Sequence, residues 1–225
     1  MVKEKCMQFI RRFTMKKILL VLTIAFLLNA CSKDSSLERQ LTDILIIMNE
    51  KEKRGTGYVR KLNEHERKEQ QLFTDTMEMT QQRYSEVEKL VAALKKSANE
   101  RMVIIEKEQQ VLHDARMELD YLNEQMNGFD DEGINKIKKL LSALYNRYDT
   151  HDRFVLNYKK LIYEQTKLYT QLEDRSVRAN VLDEQVNEIN RLTSTIEEDI
   201  HEFNEATTEV NRLKSRALAS LEKMK

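Results

Sequence analysis

Apolar residues recur along most of this chain at alternating steps of three and four. That spacing keeps them on one face of a helix and predicts long amphipathic helices. One such line is Leu37, Leu41, Ile44 and Met48. It fades through 49–71, a mostly polar stretch that reads as an exposed face or as the least stable part of the molecule. Within it, Gly55-Thr56-Gly57 predicts a kink or a local break. The sharpest line runs through Tyr84, Val87, Val91, Leu94, Ala98, Ile105, Leu112, Ala115, Leu119, Leu122 and Met126. It describes a single helix of about fifty residues, or about 75 Å at 1.5 Å per residue. Ser97-Ala98-Asn99-Glu100 has capping-box spacing, but the line stays in phase through it, so it reads as helix interior.

Two members of that line are charged, Arg101 and Glu108. They read as solvent-facing, with a paired polar layer as the alternative. A third line runs through Ile134, Ile137, Leu141, Leu144, Tyr148, His151, Val155, Tyr158, Ile162, Gln165, Tyr169 and Leu172. A fourth runs from Leu182 through Val186, Ile189, Ile196, Ile200, Phe203, Val210, Leu213, Ala217 and Leu221 to Met224. Reversals are predicted at 128–133, where Gly128 can end a helix, at 173–180, and near 72–77, where Asp75 and Glu78 have capping-box spacing. Single apolar lines need partners to bury them. The expected fold is therefore all-α: a long antiparallel up-and-down bundle over 37–225, with four helices favoured and three long kinked helices as the rival.

Ahead of the helices lies a different pattern. Met15-Lys16-Lys17 precedes an apolar run from Ile18 to Leu28, then Asn29, Ala30 and Cys31. A basic start, a short apolar stretch and a small residue before a cut describe a secretory signal. The run is shorter than the roughly 20 residues that span a bilayer. Residues 1–30 therefore read as a signal peptide, with Met15 as a more conventional start, cleaved between Ala30 and Cys31. A cysteine directly after the cut resembles a bacterial lipoprotein signal, which implies that Cys31 is acylated; residues 31–36 then read as the lipidated cysteine and a polar tether.

Composition narrows the function. Charged residues make up 34% of the chain, with no proline, no tryptophan and four glycines, which suits long helices. Formal charge is zero overall, yet from Cys31 onward acidic side chains outnumber basic ones by five. An acidic body argues against nucleic-acid binding, which needs a basic face. Cys6 and Cys31 are the only cysteines, so with Cys31 acylated no disulfide holds the body together. No phosphate-binding glycine loop, nucleophile elbow or zinc motif is present. Glu198 and His201 have the Glu-x-x-His spacing of di-iron bundles, but no second pair exists, so the spacing reads as coincidence. His151 reads as hydrogen-bonded within the core or near a wet end, not as a ligand, His201 as half exposed, and His65 and His113 as solvent-facing. No catalytic residue, metal or cofactor is expected beyond a covalent lipid on Cys31.

Tyr145, Tyr148, Tyr158, Tyr163 and Tyr169 gather on one predicted helix. Tyr148, Tyr158 and Tyr169 fall on the apolar line and read as core residues with polar tips. Tyr145 and Tyr163 lie beside it and are the candidates for contact with a glycan or a partner.

A lipobox-like Leu28–Cys31, a short Ser/Asp tether and about 190 residues of charged amphipathic helix without cysteine or proline form a distinctive combination. The chain resembles the YkyA-like family of cell-wall-binding lipoproteins of Gram-positive bacteria. The resemblance covers nearly the whole chain and implies a helical bundle on the outer face of the cytoplasmic membrane, facing peptidoglycan. It carries over one functional position, Cys31. The expected partners are the membrane, through the lipid, and a wall polymer or envelope protein, with self-association open to the long charged faces. A solute-binding lipoprotein of a transporter is the alternative; it would need α/β lobes around a cleft.

Overall fold

The computed structural model describes residues 36–79, 84–125 and 132–222. The signal segment, Ala30 and Cys31 lie outside them. Four helices account for the described chain: α1 Ser36–Glu78, α2 Tyr84–Gln125, α3 Glu132–Leu172 and α4 Ala179–Glu222. No strand occurs among the described residues, so the α/β lobes of the solute-binding alternative are not formed there. No helix among them is long and apolar enough to cross a membrane.

The first reversal is displaced from its predicted place. α1 continues to Glu78, and Asp75 lies inside it, accepting a hydrogen bond from Gln71 Nε2 at 2.7 Å instead of capping a new helix. The reversal predicted at 128–133, with Gly128, falls almost wholly outside the described residues, which stop at Gln125 and resume at Glu132. The reversal after Leu172 falls where it was expected and is built by Asp174: its carboxylate accepts the amide and the hydroxyl of Ser176 at 2.8 and 2.6 Å. Those two bonds hold the Asp174 carboxyl below its usual range. The predicted break at Gly55–Gly57 is absent. α1 is continuous helix through both glycines; Gly55 takes a buried place in the helix-packing repeat, and nothing lies within 4 Å of a Cβ built on Gly57.

The helices divide into two compact units, to each of which every helix gives one segment. Unit 1 comprises 58–107 and 154–198 of the described chain. Its core is built from Leu62 and Phe73 of α1, Val91, Leu94, Ala98 and Ile105 of α2, Val155, Ile162 and Leu168 of α3, and Val186, Ile189 and Ile196 of α4. Unit 2 comprises the remaining described residues up to 57, 108–153 and those from 199 onward. Leu41, Leu45 and Met48 of α1 pack there with Leu112, Leu119 and Leu122 of α2, Ile137 and Leu144 of α3, and Phe203 and Val210 of α4. Burial of this apolar area drives assembly, at roughly 1.5–3 kcal/mol per large side chain.

Cross-helix bonds give the helix directions. In unit 2, Lys51 of α1 reaches the Asp114 carbonyl and the Glu118 carboxylate of α2, and Tyr145 of α3 reaches Asp120 of α2. In unit 1, Gln185 of α4 donates to the carbonyl and carboxylate of Glu164 on α3. Consecutive helices are antiparallel, as an up-and-down bundle requires.

Candidate functional site

The buried interior holds more charge than its apolar lines foretell. In unit 1, Arg101 is fully buried, not solvent-facing. Its Nη2 lies 3.1 Å from Glu69 Oε1 and donates to Gln165 Oε1, and its Nη1 lies 3.9 Å from Glu66 Oε1. Tyr158 donates to Glu66 at 2.5 Å, and Tyr169 donates to Glu69 at 2.7 Å. The Arg101 guanidinium also stands over the Tyr158 ring, 5.6 Å from its centroid. Burial raises the Glu66 carboxyl above its ordinary range, against the opposing pull of Arg101 and Tyr158. Burial likewise pushes the Tyr158 and Tyr169 hydroxyls well up, and the neighbouring glutamates add to the effect.

Unit 2 carries a second such cluster. Arg147 donates to both oxygens of Glu52 at 2.7 and 3.0 Å and to Thr207 Oγ1 at 2.9 Å, and Tyr148 donates to Glu52 at 2.5 Å. Phe203 covers the guanidinium face at 4.8 Å. Beside it Glu108, also predicted to be wet, is buried and pairs with His151 Nε2 at 2.9 Å. His151 thus fills the hydrogen-bonded core place expected of it. Burial reverses the solvent-facing reading of Arg101 and Glu108 for a simple reason: each occupies a packing position and each finds an opposite partner there, which a buried charge requires. These clusters are closed within the helix packing, away from solvent.

An open site lies on unit 1. Leu156, Asn157, Lys159, Lys160, Tyr163 and Glu164 of α3 face Glu188, Arg191, Leu192 and Thr195 of α4 around a groove of about 380 Å³. Tyr163 is 66% exposed and Leu156 54% exposed. One turn of exposed ring and one of exposed aliphatic therefore sit among lysines, an arginine and carboxylates. The residue types suit a saccharide: the ring offers a flat apolar face, and the charged groups offer donors and acceptors for hydroxyls, amides and acids.

Tyr145 is placed differently. Its hydroxyl donates to Asp120 at 2.8 Å, and its ring lies 5.7 Å from the Arg116 guanidinium, which itself bonds Asp149 at 2.7 Å. Partial burial and the bond to Asp120 push its hydroxyl up to about 12. Tyr145 and Tyr163 belong to different units and are not brought together. His201 is 73% exposed at its side chain and pairs with Glu205 at 3.3 Å. His113 is exposed, and His65 is partly covered near Glu100, at 3.5 Å. No cluster of three metal-ligating side chains occurs among the described residues.

Similarity to known proteins covers most of the chain. The model of the YkyA family, described as "Putative cell-wall binding lipoprotein", matches residues 36–219. An "Uncharacterized lipoprotein YkyA" of Bacillus subtilis is 24% identical over 152 residues, which is 67% of this chain and 68% of that protein. The structure is similar to a 1.6 Å crystal structure of a "Conserved Protein of Unknown Function from Staphylococcus aureus", with a TM-score of 0.70 at 17% identity. That match covers 84% of this chain and 98% of the other, and it shows the shared fold.

Proposed function

This chain belongs to the YkyA family of lipoproteins, and from that membership we propose that it is a lipid-anchored module of the cell envelope that binds wall polymer. Cys31 is the proposed attachment point. Four residues, 32–35, separate it from the first residue of α1. Cleavage after Ala30 would expose it, and a diacylglycerol on its thiol would hold the helices at the outer face of the cytoplasmic membrane. A single acyl chain binds membranes weakly, whereas two or more anchor firmly.

The groove beside Tyr163 carries the binding half of the reading. A sugar ring stacks its C–H face on Tyr163 and Leu156, while Lys160 and Arg191 face acidic substituents and Glu188 accepts from hydroxyl or amide donors. The experiment is sedimentation of the full chain with purified peptidoglycan. The wild type is expected in the pellet. Tyr163→Ala should leave helicity unchanged and weaken retention about fivefold or more, as loss of an aromatic anchor does. Wild-type protein left entirely in the supernatant would end the wall-binding reading. Retention unchanged by Tyr163→Ala would remove this groove from it.

A further inference from the structure

The groove on unit 1 has a counterpart on unit 2. There Lys139, Ser142 and Asn146 of α3 face Glu209, Arg212 and Leu213 of α4 around a cavity of about 340 Å³. The two sets are related by 21 positions on each helix. Lys139 corresponds to Lys160, Glu209 to Glu188, Arg212 to Arg191 and Leu213 to Leu192. Twenty-one positions are three heptads, which return a side chain to the same face of a packed helix. Because α3 and α4 run in opposite directions, a repeat that preserves their pairing must rise on one and fall on the other. It does so: Lys139 stands with Arg212, and Lys160, later on α3, stands with Arg191, earlier on α4.

The chemistry repeats with the register. Arg191 donates through Nε and Nη2 to Glu188, and Arg212 donates through the same two atoms to Glu209. In both, the Nη1 edge is left clear of the pair, and an exposed lysine of α3 lines the same groove. Each groove has one excess positive charge among its lining residues, on a chain whose body is net acidic from Cys31 onward.

We propose that the groove on unit 2 is a second binding site of the same kind, and that each site holds one carboxylate of an acidic saccharide between a lysine ammonium and an arginine edge. The proposal rests on the wall-polymer reading above. A carboxylate suits the single excess charge of each site. The resident glutamate beside the arginine then faces the amide and hydroxyl donors that flank an acid group on an N-acetylated sugar. The sites differ in one respect. Where unit 1 has Tyr163, the corresponding position in unit 2 is Ser142, so the second site lacks the stacking ring and is the weaker of the two.

Calorimetric titration of the full chain with the wall disaccharide tests this, its sugar carboxyl freed by muramidase and then amidase treatment. The wild type should bind two equivalents, the second roughly tenfold more weakly. Lys139→Gln should abolish the weaker and leave the tighter unchanged, and Lys160→Gln should do the reverse. Ser142→Tyr should tighten the weaker site. All these positions are exposed or partly exposed, so the variants keep the fold. A single equivalent in the wild type, a titration unmoved by Lys139→Gln, or preference for phosphate-polymer fragments would overturn the proposal. If intact peptidoglycan still sediments the wild type in any of those cases, wall binding stands and the second site falls. If it does not, both fall.

Discussion

Arg147 of α3 grips both carboxylate oxygens of Glu52 on α1, at 2.7 and 3.0 Å, with neither side chain exposed to water. Such a pair gains little net energy by forming, since both charges must be stripped of water first, but breaking it leaves a charge stranded.

Removing one partner should therefore cost far more than removing both. Glu52→Leu or Arg147→Met alone should destabilise the protein by about 3–5 kcal/mol, while the double variant should recover most of that loss. Urea unfolding of the four proteins checks this. Additive losses would mean that the two residues do not act as a unit.

The cluster in unit 1 is unbalanced, with Glu66 and Glu69 around one guanidinium, that of Arg101. Burial, assisted by Glu69, raises the Glu66 carboxyl above its ordinary value of 4.5. A group whose folded value is raised binds its proton more tightly in the folded state. Its contribution is fully present below the unfolded value and is lost as pH rises through the folded one. Wild-type stability should thus decline as pH climbs from the ordinary carboxylate range. Glu66→Gln, which mimics the protonated form, should flatten that decline and exceed the wild type at about pH 8. Parallel pH profiles of the two proteins would refute the assignment.

Gly57 lies in the interior of α1 with open space where a Cβ would sit. Gly57→Ala should raise stability by about 0.5–1 kcal/mol, by removing backbone freedom from the unfolded chain. Thermal denaturation followed by circular dichroism reads this directly. A loss of stability would show that the glycine is needed for a bend.

Cys31 is the proposed lipid site, and its loss should move the protein. Cys31→Ala is expected to abolish the mass added by diacylglycerol and to block cleavage after Ala30. Mass spectrometry of membrane fractions would report both changes. An unmodified Cys31 in membrane-bound wild type would point to another anchor.

Most of the architecture was legible from apolar spacing. The line from Val91 to Leu122 is buried at each of its steps, Arg101 and Glu108 included. What escaped was the charged membership of these lines. On α1, Leu41, Leu45, Met48, Glu52, Gly55, Val59, Leu62, Glu66, Glu69, Phe73 and Thr76 follow alternating steps of four and three. All are buried except the half-buried Val59. Counting only apolar residues made 49–71 look polar and weak. The phase held through it, and it marked Glu52, Glu66 and Glu69 as interior. Arg147 was missed for the same reason: Leu140, Leu144, Arg147, His151, Phe154, Tyr158, Leu161, Gln165 and Leu168 form a second line of alternating fours and threes on α3, all of it buried. The groove beside Tyr163 was half visible, since the tyrosine stood out but the facing residues of α4 are revealed only by the pairing of the helices.

One pattern in the interior has a consequence for how the chain can be threaded. Tyr148, Tyr158 and Tyr169 of α3 each donate a hydrogen bond to a glutamate of α1, namely Glu52, Glu66 and Glu69. A slip of α1 by one heptad would set Leu45, Val59 and Leu62 against those hydroxyls in one direction, or Val59, Phe73 and Thr76 in the other. A purely greasy seam would tolerate either. Here the notches match a single key position, so misaligned helices are rejected at three places in one direction and at two in the other, where Thr76 can still accept a hydrogen bond.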